Sequence, residues 1–258
     1  MRFLLSNDDG VQAPGLQALA EALTVIGEVT VVAPESERSA FSSALTLDRP
    51  LRPQRLANGF WSVPGTPADC VHLALNGLLA DLPDIVISGI NAGANLGDDT
   101  IYSGTVAAAL EGRFLGRPAM AVSLCADNAK ALGVDAYRAA AAHVVSLVRR
   151  WPELQLPPRT LLNVNVPPGS AASHRGFQVT RLGHRAPGGD VLRLQDPRGH
   201  DVFWIGAAGA PLDDAPGTDF HAVREGFVSV TPLDTDMTRH GVLDSLTTWL
   251  EHTQKKDP

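Results

Sequence analysis

Cysteine is nearly absent: Cys70 and Cys125 are the only two in 258 residues, far apart and outside any C-x-x-C pair. That excludes a disulfide scaffold and a thiolate zinc site, and it fits a reducing compartment. Long apolar runs are missing too, and no window of 18 apolar residues exists to cross a membrane. The opening MRFLL stops at Ser6-Asn7-Asp8-Asp9, too short for the ~7–15-residue apolar core of a secretory signal. Positive charge is also in short supply, with 21 Lys+Arg against 28 Asp+Glu and a net charge of −7. A nucleic-acid coat needs a basic field, so no stable nucleic-acid partner is expected, whereas small anions held by local geometry are still allowed. Repeats and low-complexity tracts are lacking. With 44% hydrophobic and 19% charged residues, the composition is that of a folded chain. A globular protein of the cytoplasm, with no membrane association, is expected.

What is present is a regular alternation of short β-branched runs and helical patterns. Arg2–Ser6, Glu28–Ala33, Asp84–Ser88, Ala119–Leu124 and Leu161–Val166 read as strands. Pro14–Ile26, Asp69–Leu79, Thr105–Leu115 and about Val134–Arg150 read as helices. Continuous apolar strands alternating with helices predict an α/β fold whose mostly parallel sheet is covered on both faces. Residues 176–232 change character: they are rich in Gly, Pro and Asp, with short strand-like pieces (FQVTRL, DVFWIG, GFVSVTP) and no strong helix. Antiparallel hairpins projecting from the body are expected there. An amphipathic helix near Thr238–Glu251 follows, then a polar tail. Its Leu243, Leu246, Trp249 and Leu250 fit either the chain's own core or a subunit interface, which periodicity does not distinguish. No linker is visible, so 1–252 reads as a single α/β domain with an irregular elaboration over about 174–226, and 253–258 as the tail.

Chemistry gathers at the ends of the predicted strands. Asp8 and Asp9 follow the first strand, where ligands bind in open α/β sheets. Two neighbouring carboxylates repel each other and lose hydration. A hard divalent cation resolves both costs, and a turn or helix cap is the bland alternative. After the Asp84–Ser88 strand, a Gly-rich loop carries Asn91 and Asn95, amides that suit a cation or a phosphate oxygen. Ser103-Gly104-Thr105 runs directly into a helix and offers either a phosphate site at its N-terminus or ordinary capping. Glu35 to Ser39, after the second strand, reads alone as a solvated loop but reaches the same edge.

Six ordered segments, SNDDGVQAPG, VVAPESERS, GTPADCV, ISGINAGANLG, YSGTVAAA and GTDFHAVREGFVSVTPL, closely resemble the SurE family of survival-protein nucleotidases, from Arg2 to about Leu250. The resemblance implies a Rossmann-like three-layer sandwich with projecting β-hairpins, and metal-dependent removal of phosphate from nucleoside 5′- and 3′-monophosphates. Short polyphosphate is a further candidate substrate. It also implies one divalent cation per subunit, Mg²⁺ or Mn²⁺, and a homodimer or homotetramer. On the matching positions Asp8, Asp9, Ser39 and Asn91 are implied as metal ligands. Asn95 and the Ser103-Gly104-Thr105 turn are implied beside the phosphate, with Asp8, Asp9 and Asn95 as the catalytic set. The chain departs from many members at Ala40 and Phe41, where they have glycine and a small polar residue, and at Ala107, where they have glycine.

Two rival readings stay open. An aspartyl-phosphate phosphatase would use Asp8 as covalent nucleophile, but such enzymes usually show D-x-D rather than an adjacent pair. A non-catalytic nucleotide or metal sensor on the same fold would bind without releasing phosphate. His174, His184, His200 and His221 fall in irregular segments and read as solvated. Arg175, Arg181, Arg185, Arg193 and Arg198 suit an extended phosphate chain or short RNA, but Asp190 and Asp196 interleave them and favour a solvated hairpin. Asp219 and Phe220 match the family without a role that the sequence explains.

Overall fold

The inner strands of the central sheet are short apolar runs, and α1, α2, α3 and α5 start where a proline or a capping side chain allows. In the computed structural model, which describes residues 1–126 and 128–254 (252–254 by backbone alone), β1 is Arg2–Ser6 and α1 is Pro14–Thr24, with Pro14 at its first position. Strand β2 is Glu28–Pro34. The two short strands β3 (Gln54–Arg55) and β4 (Trp61–Val63), which the sequence did not announce, precede α2 (Pro67–Leu73). Helix α2 starts two residues before the expected Asp69. Thr66 and Asp69 form a reciprocal capping box, so the aspartate of GTPADCV is structural. It also accepts from the Thr46 hydroxyl at 2.6 Å, which ties down the loop before it.

Strand β5 (Ile85–Ala92) runs four residues past the expected Ser88 and carries Asn91 on its end. Helix α3 is Gly104–Phe114, β6 Ala119–Leu124, α4 Val134–Arg149 and β7 Thr160–Val166. The elaboration holds β8 (Phe177–Val179), β9 (His184–Arg185), β10 (Leu192–Gln195), β11 (Asp201–Trp204) and β12 (Pro211–Asp213). A short helix α5 (Asp219–Arg224), absent from the sequence-based expectation, leads into β13 (Val228–Asp234). The last helix, α6, is Leu243–Gln254, beginning five residues after the expected Thr238. The last four residues of the predicted tail lie outside the described residues.

The strands assemble into one nine-stranded sheet in the order β3-β4-β2-β1-β5-β6-β7-β13-β8. Six neighbours, β4 to β7 in that order, are parallel, while β3 and β13 run antiparallel to their inner partners. Alternation along β1 and β5 divides the core. Phe3, Leu5, Ile85 and Ile87 pack with Leu16, Leu19, Tyr137 and Val144 of α1 and α4 on one face. Leu4 and Val86 pack with Val71, Val106 and Ala109 of α2 and α3 on the other. The result is the expected three-layer α/β sandwich. Two hairpins project, β10 with β11 and β9 with β12, both antiparallel. The other two pieces expected as hairpins do not project: β13 pairs with β7 inside the sheet and β8 joins its edge, parallel to β13. Val228 and Val230 are buried in the main core, which explains why that segment is drawn in.

Candidate active site

The chain leaves β1 for β2 on one side and later returns as β5 on the other, so the strand order reverses between β1 and β5. At such a switch point the loops part and leave a crevice beyond the carboxyl ends of the strands. Here the crevice is a cleft of about 290 Å³ whose walls include Asp8, Asp9, Ser39, Asn91, Asn95 and Ser103. Six of the eight residues singled out from sequence thus meet on one surface. Gly104 and Thr105 stand directly behind Asp8.

Asp8 is buried, and its Oδ1 accepts the Thr105 hydroxyl. The Thr105 backbone amide supports the same carboxylate. The N-terminus of α3 therefore receives an anion, and that anion is the protein's own aspartate. Gly104 makes this possible, because a Cβ there would sit 2.8 Å from the Asp8 Cβ. Ser103 caps the helix, accepting from Val106 N–H at 3.0 Å. Loss of hydration raises the Asp8 pKa to about 6 against the Thr105 bond, with Asp9 adding repulsion. Asp9 accepts from Ala92 N–H at 2.9 Å, and burial raises its pKa too. Asn7 locks the turn by donating to the Gly10 carbonyl at 3.0 Å.

The opposite lip comes from the loop after β2, drawn across β1 by Arg38 N–H to the Asp8 carbonyl at 2.7 Å. Ser39 donates to Glu37 Oε1 at 2.9 Å. Ser42 fastens the far end of this loop, donating to the Ile101 carbonyl at 2.7 Å. Phe41 stays exposed, with the Arg38 guanidinium 5.7 Å from its ring centre. On the floor, Asn95 donates to Ser123 Oγ at 2.7 Å, and its carbonyl accepts from Asn163 and Asn165. Asn91 donates to the Gly93 carbonyl at 2.9 Å.

Sequence reasoning missed four residues of the cleft: Glu37, Asp99, Tyr102 and Lys130. Lys130 arrives from the turn between β6 and α4 and binds Glu37 Oε2 at 2.8 Å. That bond, with the Ser39 contact second, holds the Glu37 carboxyl below its usual range. Nothing local marks a pair 93 residues apart. Three arginines of the elaboration pair with acids, none of them the interleaved Asp190 or Asp196: Arg181 with Asp213, Arg185 with Asp99 and Arg193 with Asp201. Asp219, fully buried, accepts Gly97 N–H at 2.7 Å and Gly183 N–H at 2.9 Å, tying the hairpin base to the turn that carries Asp99.

The donor set at the cleft suits a small hard cation. Two adjacent carboxylates short of hydration face the same space as the Ser39 hydroxyl and the Asn91 amide, all of them oxygen donors. Among the described residues no cluster of three or more His, Cys, Asp and Glu side chains forms an alternative centre. Cys70 and Cys125 are both buried and unpaired.

Residues 3–188 match the family model described as survival protein SurE. A protein named 5′-nucleotidase SurE from Pseudomonas fluorescens is 57% identical over 97% of this chain and 99% of its own. The one so named from Methylococcus capsulatus is 56% identical over 97% of this chain and 98% of its own. Among solved structures, the SurE protein of Aquifex aeolicus superposes with a TM-score of 0.84 at 42% identity, over 97% of this chain and all of that one.

Proposed function

The chain belongs to the SurE family, and from that premise we propose that it is a divalent-metal-dependent phosphomonoesterase acting on nucleoside 5′- and 3′-monophosphates. Short polyphosphate is a secondary substrate of the same site. The observation that carries the reading is the placement of buried Asp8 and half-buried Asp9 at the switch point, within one cleft with Ser39 and Asn91. These four residues would hold one Mg²⁺ or Mn²⁺ per subunit. Such a cation supplies Lewis-acid polarisation of a phosphate oxygen and lowers the pKa of water.

The protein's own groups do the rest. Asn95 and Ser103 orient the phosphoryl group and offset charge on its oxygens, the chief need in phosphoryl transfer, while Gly104 and Thr105, first expected beside the phosphate, act on the site from behind Asp8. Thr105 fixes the rotamer of Asp8 by holding its Oδ1, and Asp8 lines the cleft. Asp9, less enclosed, is placed to take the proton of an attacking water. Phe41 and Tyr102, at the rim, bear on which nucleosides enter. Assembly as a homodimer or homotetramer in the cytoplasm completes the proposal. No described helix is long and apolar enough to cross a membrane.

The test is phosphate release from a panel of nucleoside 5′- and 3′-monophosphates, first in EDTA and then with Mg²⁺ or Mn²⁺ restored. Release only with metal is expected, and Asp8→Asn should lose more than 99% of it while remaining folded by circular dichroism. Near-normal turnover by Asp8→Asn would refute the assignment of the cleft. Labelled phosphate trapped on the protein would favour a covalent aspartyl route instead.

A further inference from the structure

We propose that Glu37, pinned by Lys130, is a positioning residue that turns the Ser39 hydroxyl oxygen toward the cation site. The inference rests on the metal-dependent reading above and adds to it the device that prepares one ligand. A serine hydroxyl has one proton and two acceptor lone pairs. An ionised carboxylate only accepts, so the 2.9 Å contact places the Ser39 proton on the side of Glu37. The lone pairs of Ser39 Oγ are then directed away from Glu37, and Ser39 lines the cleft. Without that acceptor an exposed serine rotates freely, and part of the time it presents a proton to a cation.

Glu37 is held in turn. Lys130 Nζ donates to Oε2 at 2.8 Å while Ser39 uses Oε1, so the two oxygens of one carboxylate have separate partners. Both side chains of the ion pair are about half exposed, and an exposed pair adds little to folding. The arrangement therefore has scope to act on the site without holding up the fold. It also joins the loop after β2 to the turn before α4 across the mouth of the cleft, and among the described residues Lys130 is the only lysine or arginine lining the cleft. Partners of metal ligands typically change affinity by 10- to 100-fold when removed, and an exposed one belongs at the lower end.

The experiment is a Mn²⁺ titration of the full-length, metal-free protein, read by electron paramagnetic resonance of the free ion. Glu37→Ala should weaken Mn²⁺ binding by about tenfold with an unchanged melting temperature in EDTA. Lys130→Met should weaken it about threefold in the same direction. Ser39→Ala should resemble Glu37→Ala, and the double variant should be no weaker than Ser39→Ala alone. Unchanged affinity in Glu37→Ala overturns the inference. So does a tenfold loss that persists on the Ser39→Ala background, because Glu37 then acts by charge and not through the serine. Absence of Mn²⁺ binding by the unsubstituted protein overturns the metal-dependent reading itself, a result distinct from either.

Discussion

Ala40 holds φ at +61°, a left-handed conformation that an L-residue adopts at a cost of roughly 1–2 kcal/mol. Glycine would take this bend without strain, so an alanine here accepts the cost. Ala40→Gly should leave stability unchanged or raise it by up to about 1 kcal/mol by denaturant titration, although glycine normally destabilises through the entropy of the unfolded chain. A clear loss would mean that the bend is not strained. Asp8 supports a second prediction at this scale. Its folded pKa, about 6, lies above the reference value of 3.8, so the native state favours the protonated form. The sign follows: this stabilisation is complete below about pH 4 and is lost as pH rises through 6. In EDTA, Asp8→Asn should therefore gain stability relative to the unsubstituted protein between pH 4 and pH 7. The gain is on the order of 3 kcal/mol at 1.36 kcal/mol per pKa unit. Parallel stability curves for the two proteins would rule this out. The aspartates were legible because they directly follow a recognisable strand, the asparagines because they sit in the Gly-rich segment that leaves another, whereas Ser39 was marked only by the family resemblance. The bond from Thr105 to Asp8 was not legible, because it joins residues 97 positions apart.

Elements were legible in proportion to their length. The long β-branched runs and the helices α1 and α4 carry clear periodicity, and they stand within a few residues of expectation. Strands of two or three residues such as β3 and β4 show no period, and neither does the six-residue α5. Yet α5 bears the aspartate whose place in the family motif had no explanation in the sequence. Asp219 caps nothing catalytic. It accepts two backbone amides from separate segments, Gly97 beside the cleft and Gly183 at the base of β9, while Phe220 packs on Leu96 and Cys125. Arg185 strengthens the same joint by pairing with Asp99 at 2.6 Å and lying 5.0 Å from the Phe220 ring centre. Replacing one carboxylate oxygen by an amide turns an acceptor into a donor against a buried N–H. Asp219→Asn should therefore cost about 2–4 kcal/mol of stability. It should also speed hydrogen exchange at residues 97–101 ahead of the sheet. Unaltered exchange in that turn would mean that the joint does not hold the cleft wall.

At the scale of the whole molecule, the sheet order places both carboxylates at its reversal, whereas strand–helix alternation predicts only the parallel sheet and the strand ends. What alternation leaves open is where apolar surface stays uncovered. Leu243, Leu246, Trp249 and Leu250 of α6 are all 46–61% exposed. The projecting β10–β11 hairpin likewise exposes Leu192, Phe203 and Trp204. Monomeric proteins rarely leave contiguous apolar patches of more than a few hundred Å² in water, so both projections are suited to be covered by further copies of the chain. Static light scattering on a sizing column should accordingly give a mass two or four times 27.3 kDa. Leu246→Asp combined with Leu250→Asp places two charges on the apolar face of α6, and it should shift the protein to a smaller species at equal concentration. The cleft draws on β1, β5, the start of α3, the loop after β2 and the turn between β6 and α4, and on no residue of α6 or of the β10–β11 hairpin, so metal-dependent turnover per chain should survive that shift. If mass and turnover fall together, the assembly contributes to the site as well as burying α6. A mass of 27.3 kDa at tens of micromolar for the unsubstituted protein would show instead that both projections are left in water, against the cost that their apolar surface predicts.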